Sequence, residues 1–414
     1  MADHHGTCRM QTLGVYIQVP FCAAKCTFCN FRTWVARPEQ VDRYGLALRR
    51  EITELPGFYR AAGISAEILD LSVDTVYIGG GNPSLLELDA LAATLSLLWK
   101  NFPRSAPLEF TVEITPGSVD EAVLSALLAL GVNRLSIGAQ SFNDRELRAV
   151  GRKHSAEATR QWVRAARAAG FGNISLDLVG GLPYQTAESW QDNLAEVERL
   201  RPEHLSVYLL EIDEKSRLGR EVLQGGSRYH AKALPDEDFQ VEAYATAKDY
   251  LTRLGYEQYE ISNFALPGHE SRHNRKYWQL APFLGLGAGA HSFNGSQRWA
   301  NEAEPEAYAS RLNSGVGPVE EIRTLAPEQQ VEEFFFLGLR ERRGVNLDDA
   351  RGRWGDDLIS HWQGRIDRLR QQGWLEVSDG WLRLADKALL VSNEIFQQFL
   401  ASAPPKDEFA TSPV

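Results

Sequence analysis

Three of the four cysteines in this 414-residue chain fall in one eight-residue span, Cys22-Ala-Ala-Lys-Cys26-Thr-Phe-Cys29. Consecutive Cα atoms are about 3.8 Å apart, so the looping tripeptide and dipeptide between the thiols can set three sulfurs on neighbouring irons. CxxxCxxC spacing suits a four-iron, four-sulfur cube held by only three protein ligands, which leaves one iron open for chemistry. Soft thiolates favour iron–sulfur clusters, copper(I) or zinc over magnesium or calcium. Structural zinc takes four ligands, and here the fourth would be Cys8, near the N-terminus, or a distant histidine. Three buried, unligated thiols are the other bland alternative. The crowding of so few cysteines into one span favours the cluster over both. A disulfide framework fits poorly in so long a chain.

A chain of this length holds one large core or two ordinary domains. Its net charge of -11 opposes non-specific nucleic-acid binding, because phosphates are repelled. No apolar run approaches the roughly 18 residues of a membrane span. The opening MADHHGTCRMQ lacks the apolar run of a secretory signal. A cytoplasmic location is expected, where reducing conditions suit exposed thiolates.

A strand-then-helix rhythm fills the first half of the chain. Strands are expected at 14–19, 74–78, 108–114, 134–137, 174–178 and 204–210, with helices at 41–55, 85–98, 119–130, 156–169 and 189–200. The turn pair Pro56-Gly57 should end the first helix. Nearly continuous apolar strands with this alternation predict an α/β fold, a parallel sheet covered by helices. About six units suit an open, partial (β/α)6 barrel, with polar and glycine-rich segments gathered at the carboxyl ends of the strands. A helix at 239–254 and a short strand at 256–261 follow, then a long aromatic, glycine-rich loop over 263–294. Helices at 328–339, 347–350 and 361–372 precede a hairpin around Asp379-Gly380. That order resembles a winged helix, though its recognition region is not basic enough for DNA. The expected divisions are a flexible start at 1–11, a core at 12–238, an elaboration at 239–318, a helical and hairpin domain at 319–400 and a disordered tail at 401–414.

The stretch Tyr16-Ile-Gln-Val-Pro-Phe-Cys22-Ala-Ala-Lys-Cys26-Thr-Phe28-Cys29 resembles the start of a radical S-adenosylmethionine (SAM) enzyme. More narrowly it is similar to the oxygen-independent coproporphyrinogen III oxidase group, which includes the HemW haem-chaperone branch. The resemblance covers about residues 12–398 and implies that SAM chelates the open iron of a [4Fe-4S] cluster. Reductive cleavage of SAM in that superfamily gives a 5′-deoxyadenosyl radical, with the protein supplying binding and orientation.

Several residues follow from this likeness. Gly79-Gly80-Gly81-Asn82-Pro83 resembles the family's Gly-Gly-Gly-Thr-Pro, which meets the amino group of SAM, although a tight turn explains the glycines equally well. Glu113, at a strand end, is either a solvated terminus or the family's acidic anchor; its flank, Ile-Thr-Pro116-Gly117, departs from the usual pattern. Gln140, in a segment resembling the fourth-strand signature, is a SAM contact on that basis, with Ser136 in support. Arg152 could bind the SAM carboxylate in bidentate fashion or simply open a solvated helix. His154 caps or supports the loop. Asp177 needs a partner in an otherwise apolar strand, and a ribose hydroxyl would serve. Gly181 and Leu182 let backbone approach the adenine. Tyr16 and Phe28, flanking and inside the cysteine loop, complete the cofactor set.

Haem enters through His273-Asn-Arg-Lys-Tyr277-Trp278, which resembles the HNxxYW motif of the haem-chaperone branch. A histidine beside two aromatics suits axial ligation of haem; a packing loop with His273 bonded to backbone is the plain alternative. His291 supports the glycine loop instead, and Phe334–Phe336 belongs to a core. Gln18 replaces the family's histidine and cannot titrate. The further cysteine after the third, common in the oxidases, is also missing, as is their extended N-terminal segment. Haem transfer to acceptors in the respiratory chain is therefore the leading implication, with an electron donor as a further partner. Coproporphyrinogen oxidation and radical methylation are the alternatives. Anaerobic reconstitution should load about four irons per chain, and Cys22→Ala should lose most of them by iron and sulfide analysis.

Overall fold

The computed structural model describes residues 12–117 and 122–400. Cys8, the expected helix start at 119 and both terminal tails lie outside the described residues. Six strands pair in parallel and in chain order: β1 (Leu13–Val19), β2 (Val73–Gly80), β3 (Arg104–Ile114), β4 (Arg134–Gln140), β5 (Ile174–Gly180) and β6 (His204–Leu209). The crossovers carry helices α1 (Pro38–Ala62), α2 (Leu88–Asn101), α3 (Ala122–Ala129), α4 (Ala156–Ala169) and α5 (Ala187–Leu200).

The strands are not continuously apolar. Val15, Ile17, Val76, Ile78, Phe110, Val112, Leu135, Ile137, Leu176, Leu178, Leu205 and Val207 pack into the core shared with the helices. The alternate positions are Gly14, Tyr16 and Gln18; Thr75, Tyr77 and Gly79; Glu109, Thr111 and Glu113; Arg134 and Ser136; Ser175 and Asp177; His204, Ser206 and Tyr208. Successive side chains leave a strand on opposite faces, so one face of the sheet is oily and the other polar. On the polar face the Tyr77 hydroxyl on β2 reaches the Glu113 carboxylate on β3 at 2.9 Å.

The region expected as a long loop is structured. Strands β7 (Glu257–Gln258) and β8 (Asn263–Ala265) extend the sheet antiparallel beyond β6. Between them and the next strand lie α8 (Arg272–Trp278), preceded in the chain by α6 (Arg217–Leu223) and α7 (Glu237–Arg253). Strand β9 (Phe283–Leu286) then pairs parallel with the far side of β1. Antiparallel β10 (His291–Phe293), β11 (Gln297–Asn301) and β12 (Val319–Thr324) follow. The ladder runs β12-β11-β10-β9-β1-β2-β3-β4-β5-β6-β8-β7 without closing on itself. Ser271 accepts from the backbone N–H of Asn274 at 3.3 Å, an N-cap that starts α8 where the glycines and aromatics had suggested a loop.

Helix α1 passes through Pro56 instead of stopping there. An interior proline forfeits one helical hydrogen bond and costs about 3 kcal/mol. Burial of Phe58 and Tyr59 beyond it offsets it, and the helix ends at Gly63 with φ 71°. No helix among the described residues is long and apolar enough to cross a membrane.

A second core forms around Val331, Phe335, Leu339, Trp362, Ile366, Leu382 and Phe399. Helices Pro327–Gly338, Leu347–Trp354, Asp356–Ser360 and Gln363–Gln371 surround a sheet of β13 (Val345–Asn346), β14 (Leu375–Ser378) and β15 (Trp381–Leu384). Asp379 and Gly380, at φ 51° and 78°, make the two-residue hairpin turn expected from their types. Phe335 is fully enclosed and stacks on Phe399 at 4.7 Å, so the core role expected for this aromatic run holds at that residue. Phe335→Ala should destabilise the protein by about 3–5 kcal/mol, measured by denaturant unfolding.

Candidate functional site

Strand β1 delivers the chain directly into the cysteine loop at the carboxyl end of the sheet. Neighbouring elements pin this loop. Asn82 N–H donates to Phe21 O at 2.7 Å, Thr27 N–H to Val150 O at 3.0 Å and Leu218 N–H to Thr27 O at 2.8 Å. The Arg217 guanidinium also donates to Lys25 O, and Asn30 Nδ2 to Asp213 Oδ2 at 2.9 Å. Phe28 packs against the apolar group of Val150, Val179, Leu182, Leu210 and Leu218. These contacts tie the loop to the segments at Asn82, Val150, Asp213 and Arg217–Leu218.

Cys22, Cys26 and Cys29 are free and partly accessible. Burial pushes the Cys22 thiol up to about 11, opposed by the Thr33 hydroxyl and more weakly by Arg152. Cys29 is raised for the same reason. Metal binding must therefore displace protons from this loop. Among the described residues no three His, Cys, Asp or Glu side chains gather as a single ion would require. A four-iron cube makes a looser demand, one thiolate on each of three separate irons. The donor set suits that group better than zinc.

The other expected residues converge beside the loop. Gly80 N–H donates to Glu113 Oε2 and Tyr77 OH to Glu113 Oε1, each at 2.9 Å. Gly80 has φ 101°, and a Cβ there would collide with the Gln18 carboxamide. A Cβ on Gly81 would stand 2.7 Å from Val19 O. The glycine run thus answers first to close passage over the end of β1. Asn82 is buried, and Ser84 Oγ donates to its Oδ1 at 2.5 Å. Gln140, at φ 65°, and Arg152 lean together over Gly138, where a Cβ would lie 2.9 and 3.2 Å from them.

Arg152 bears on both sides of the site. Its charge reaches Cys22 and Asp177, and its Nε has no hydrogen-bond partner among the described residues. Asp177 faces Ser206 across β5 and β6. Ser136 is buried opposite Glu113 in register. Gly181 N–H already donates to Gln185 Oε1 at 2.6 Å, and a Cβ there would meet Gln240 at 2.9 Å. His154 Nε2 stands 3.2 Å from Ala139 O, and burial lowers its pKa to about 4. It is a neutral support for the loop.

His273 stands apart from these. It is 1% exposed, on α8, at the amino ends of the strands and so opposite the cysteine loop. Glu109 on β3 accepts from the backbone N–H groups of Arg272 and His273, both at 2.9 Å. Lys276 Nζ pairs with Asp74 Oδ1 at 2.7 Å and donates to Thr12 O at 3.1 Å. The ring has Thr75 Oγ1 2.9 Å from Nδ1 and Tyr277 OH 2.8 Å from Nε2. Axial ligation needs a free nitrogen and an open face, and here neither nitrogen is free. The HNxxYW segment is a helix that floors the barrel, not an aromatic loop open to haem. Tyr77 and Arg134 also belong to the polar face; the period-two placement of polar residues on each strand was the signal for them.

Three kinds of similarity bear on what such a site belongs to. Residues 16–197 match the Radical SAM superfamily and residues 325–391 the HemN C-terminal domain. The chain is 33% identical over 386 residues to "Heme chaperone HemW" of Bacillus subtilis, covering 93% of this chain and 98% of that one. The chain belongs to the HemW family of radical SAM proteins. It is also 31% identical to the mitochondrial "Radical S-adenosyl methionine domain-containing protein 1" of Bos taurus, over 94% and 88% of the two chains. The Escherichia coli coproporphyrinogen III oxidase HemN, described as a radical SAM enzyme, has the same fold, with a TM-score of 0.81 at 24% identity over 94% and 90% of the chains. SAM and [4Fe-4S] use are general in this superfamily.

The site's carboxylates set a pH dependence. Burial raises Glu113 from 4.5 to about 7, with further repulsion from Asp177. Burial likewise raises Asp177 from 3.8 to about 6, against the Ser206 hydroxyl and the charges of Arg134 and Arg152. Each group holds its proton more tightly folded than unfolded. Their stabilising contribution is therefore full below about 4 and lost as pH rises through about 6 and then 7. Denaturant unfolding of the cofactor-free chain should show stability falling across that window, with Glu113→Gln flattening the upper part.

Proposed function

We propose that the protein is a haem chaperone that binds haem and passes it to acceptor proteins, with a [4Fe-4S] cluster and SAM at the carboxyl end of the barrel. Near full-length similarity to the Bacillus haem chaperone carries this reading, and the pinned three-cysteine loop supports it. Cys22, Cys26 and Cys29 would hold the cluster. When bound, the cluster and SAM supply one-electron reductive chemistry.

The chain's own groups bind and orient. Glu113 and Asp177 are buried carboxylates, Glu113 bonded to the Gly80 N–H and the Tyr77 hydroxyl and Asp177 facing Ser206, which suits an ammonium on one and a ribose hydroxyl on the other. Arg152 and Gln140 meet over Gly138 and are placed to take a carboxylate. Asn82 and Gly80 offer polar atoms beside the amino group, Gly181 closes the adenine side, and Tyr16 and Phe28 flank the cofactor. Gln18 accepts from Tyr16 OH at 2.7 Å and stores no proton of its own. An external electron donor and membrane-associated haem acceptors complete the set of partners.

Anaerobic incubation of the reconstituted protein with SAM, a reductant and haem or coproporphyrinogen separates the two chemistries of this fold. Haem should pass to acceptor-containing membranes, with no vinyl product by chromatography. Conversion of coproporphyrinogen to protoporphyrinogen would establish the oxidase instead.

A further inference from the structure

The buried face of His273 points toward the ligand end of the barrel through other side chains. Its ring stacks on Tyr77 at 5.4 Å with 30° between planes, and Tyr77 stacks on Tyr16 at 5.9 Å with 23° between planes. Tyr77 OH donates to Glu113 and Tyr16 OH to Gln18. Those two acceptors stand on either side of Gly80: one takes its N–H, the other fills the space its Cβ would need. Tyr16 and His273 are themselves 6.3 Å apart, so the three rings form a triangle in which Tyr77 and Tyr16 carry hydrogen bonds to the two polar groups beside Gly80.

The histidine ring of that triangle is fixed more firmly than packing alone requires. Thr75 holds Nδ1, Tyr277 holds Nε2 and Glu109 holds the backbone N–H. Helix α8 approaches so closely that a Cβ on Gly14 would lie 2.7 Å from Lys276 Cδ and 3.5 Å from His273 Cε1. A phenylalanine ring could fill this space, but it offers no atoms by which its rotation could be set. An imidazole bonded at both nitrogens has one orientation, and the Tyr77 ring packs against that fixed face.

From this ring cluster we propose that His273 is a positioning residue for SAM: it orients Tyr77, and through the Tyr77 hydroxyl it sets the Glu113 carboxylate beside Gly80. The proposal rests on the SAM-binding reading above and gives the HNxxYW helix a role in the barrel other than iron ligation. Burial keeps the ring neutral, so it acts through geometry and not charge. His273 touches no cofactor atom and reacts with nothing.

The test is SAM titration calorimetry on the anaerobically reconstituted full chain, comparing the parent with His273→Leu, Tyr77→Phe and the double variant. Each single variant should bind SAM about tenfold more weakly, the loss of roughly one hydrogen bond to a charged group, with iron content retained. The double variant should be no weaker than Tyr77→Phe alone, because both changes break one path. A second readout needs no cofactor: the infrared band of protonated Glu113, identified by its loss in Glu113→Gln, should titrate at a different pH in His273→Leu. If His273→Leu loses iron, Thr75→Val, which removes the Nδ1 partner at similar size, carries the same expectation. Parental SAM affinity in the iron-loaded variant, or losses that add in the double variant, would overturn the proposal. So would loss of the haem spectrum with SAM binding unchanged, the result expected of an axial ligand. A parent chain that binds no SAM at all would instead remove the reading on which the proposal rests.

Discussion

Strand β1 has parallel partners on both sides, β2 on one and β9 on the other, and the position of every other part of the site follows from this. A strand paired along both edges cannot slip by one residue without turning its oily residues toward the polar face. Val15, Ile17 and Val19 lock that register from the helix side. The cysteine loop therefore leaves a fixed point, between the Gly80 turn and the Gly287 turn. Tyr44 OH reinforces the second turn by donating to Gln18 O at 2.6 Å and accepting from Ala288 N–H at 3.1 Å.

Glu51 carries the same support outward. It accepts from Gly287 N–H at 2.8 Å, Asn301 Nδ2 at 2.7 Å and Tyr308 OH at 2.5 Å, so one buried carboxylate on α1 secures three separate segments. Burial raises its pKa to about 7, against those three hydrogen bonds. Breaking one partner of such a network leaves polar groups unpaired in the interior, where that is most costly.

Much of this was legible from the sequence. The cysteine spacing and the sequence order of six strands and their helices stood out because chemistry-bearing residues follow the apolar runs. Helix 156–169 was placed to the residue, between the Ser155 cap and Gly170. Two kinds of information were hidden. Pro56 looked like a stop because the burial of Phe58 and Tyr59 beyond it is a tertiary fact. His273 looked accessible because aromatic and glycine content suggested a loop, whereas the closure comes from Glu109, more than a hundred residues earlier in the chain. The alternation of Thr75, Tyr77 and Gly79 with Val76 and Ile78 was present in the sequence, and it distinguishes a strand lining a polar cavity from one buried on both faces.

The clamp of Glu109 on the start of α8 has a consequence for traffic. With Lys276 and Asp74 paired below and His273 filling the space above, the amino end of the barrel is sealed by charge as well as by bulk. A sealed base removes one route, so whatever enters beside the cysteine loop can leave only by that mouth or by the open side between the end strands β12 and β7.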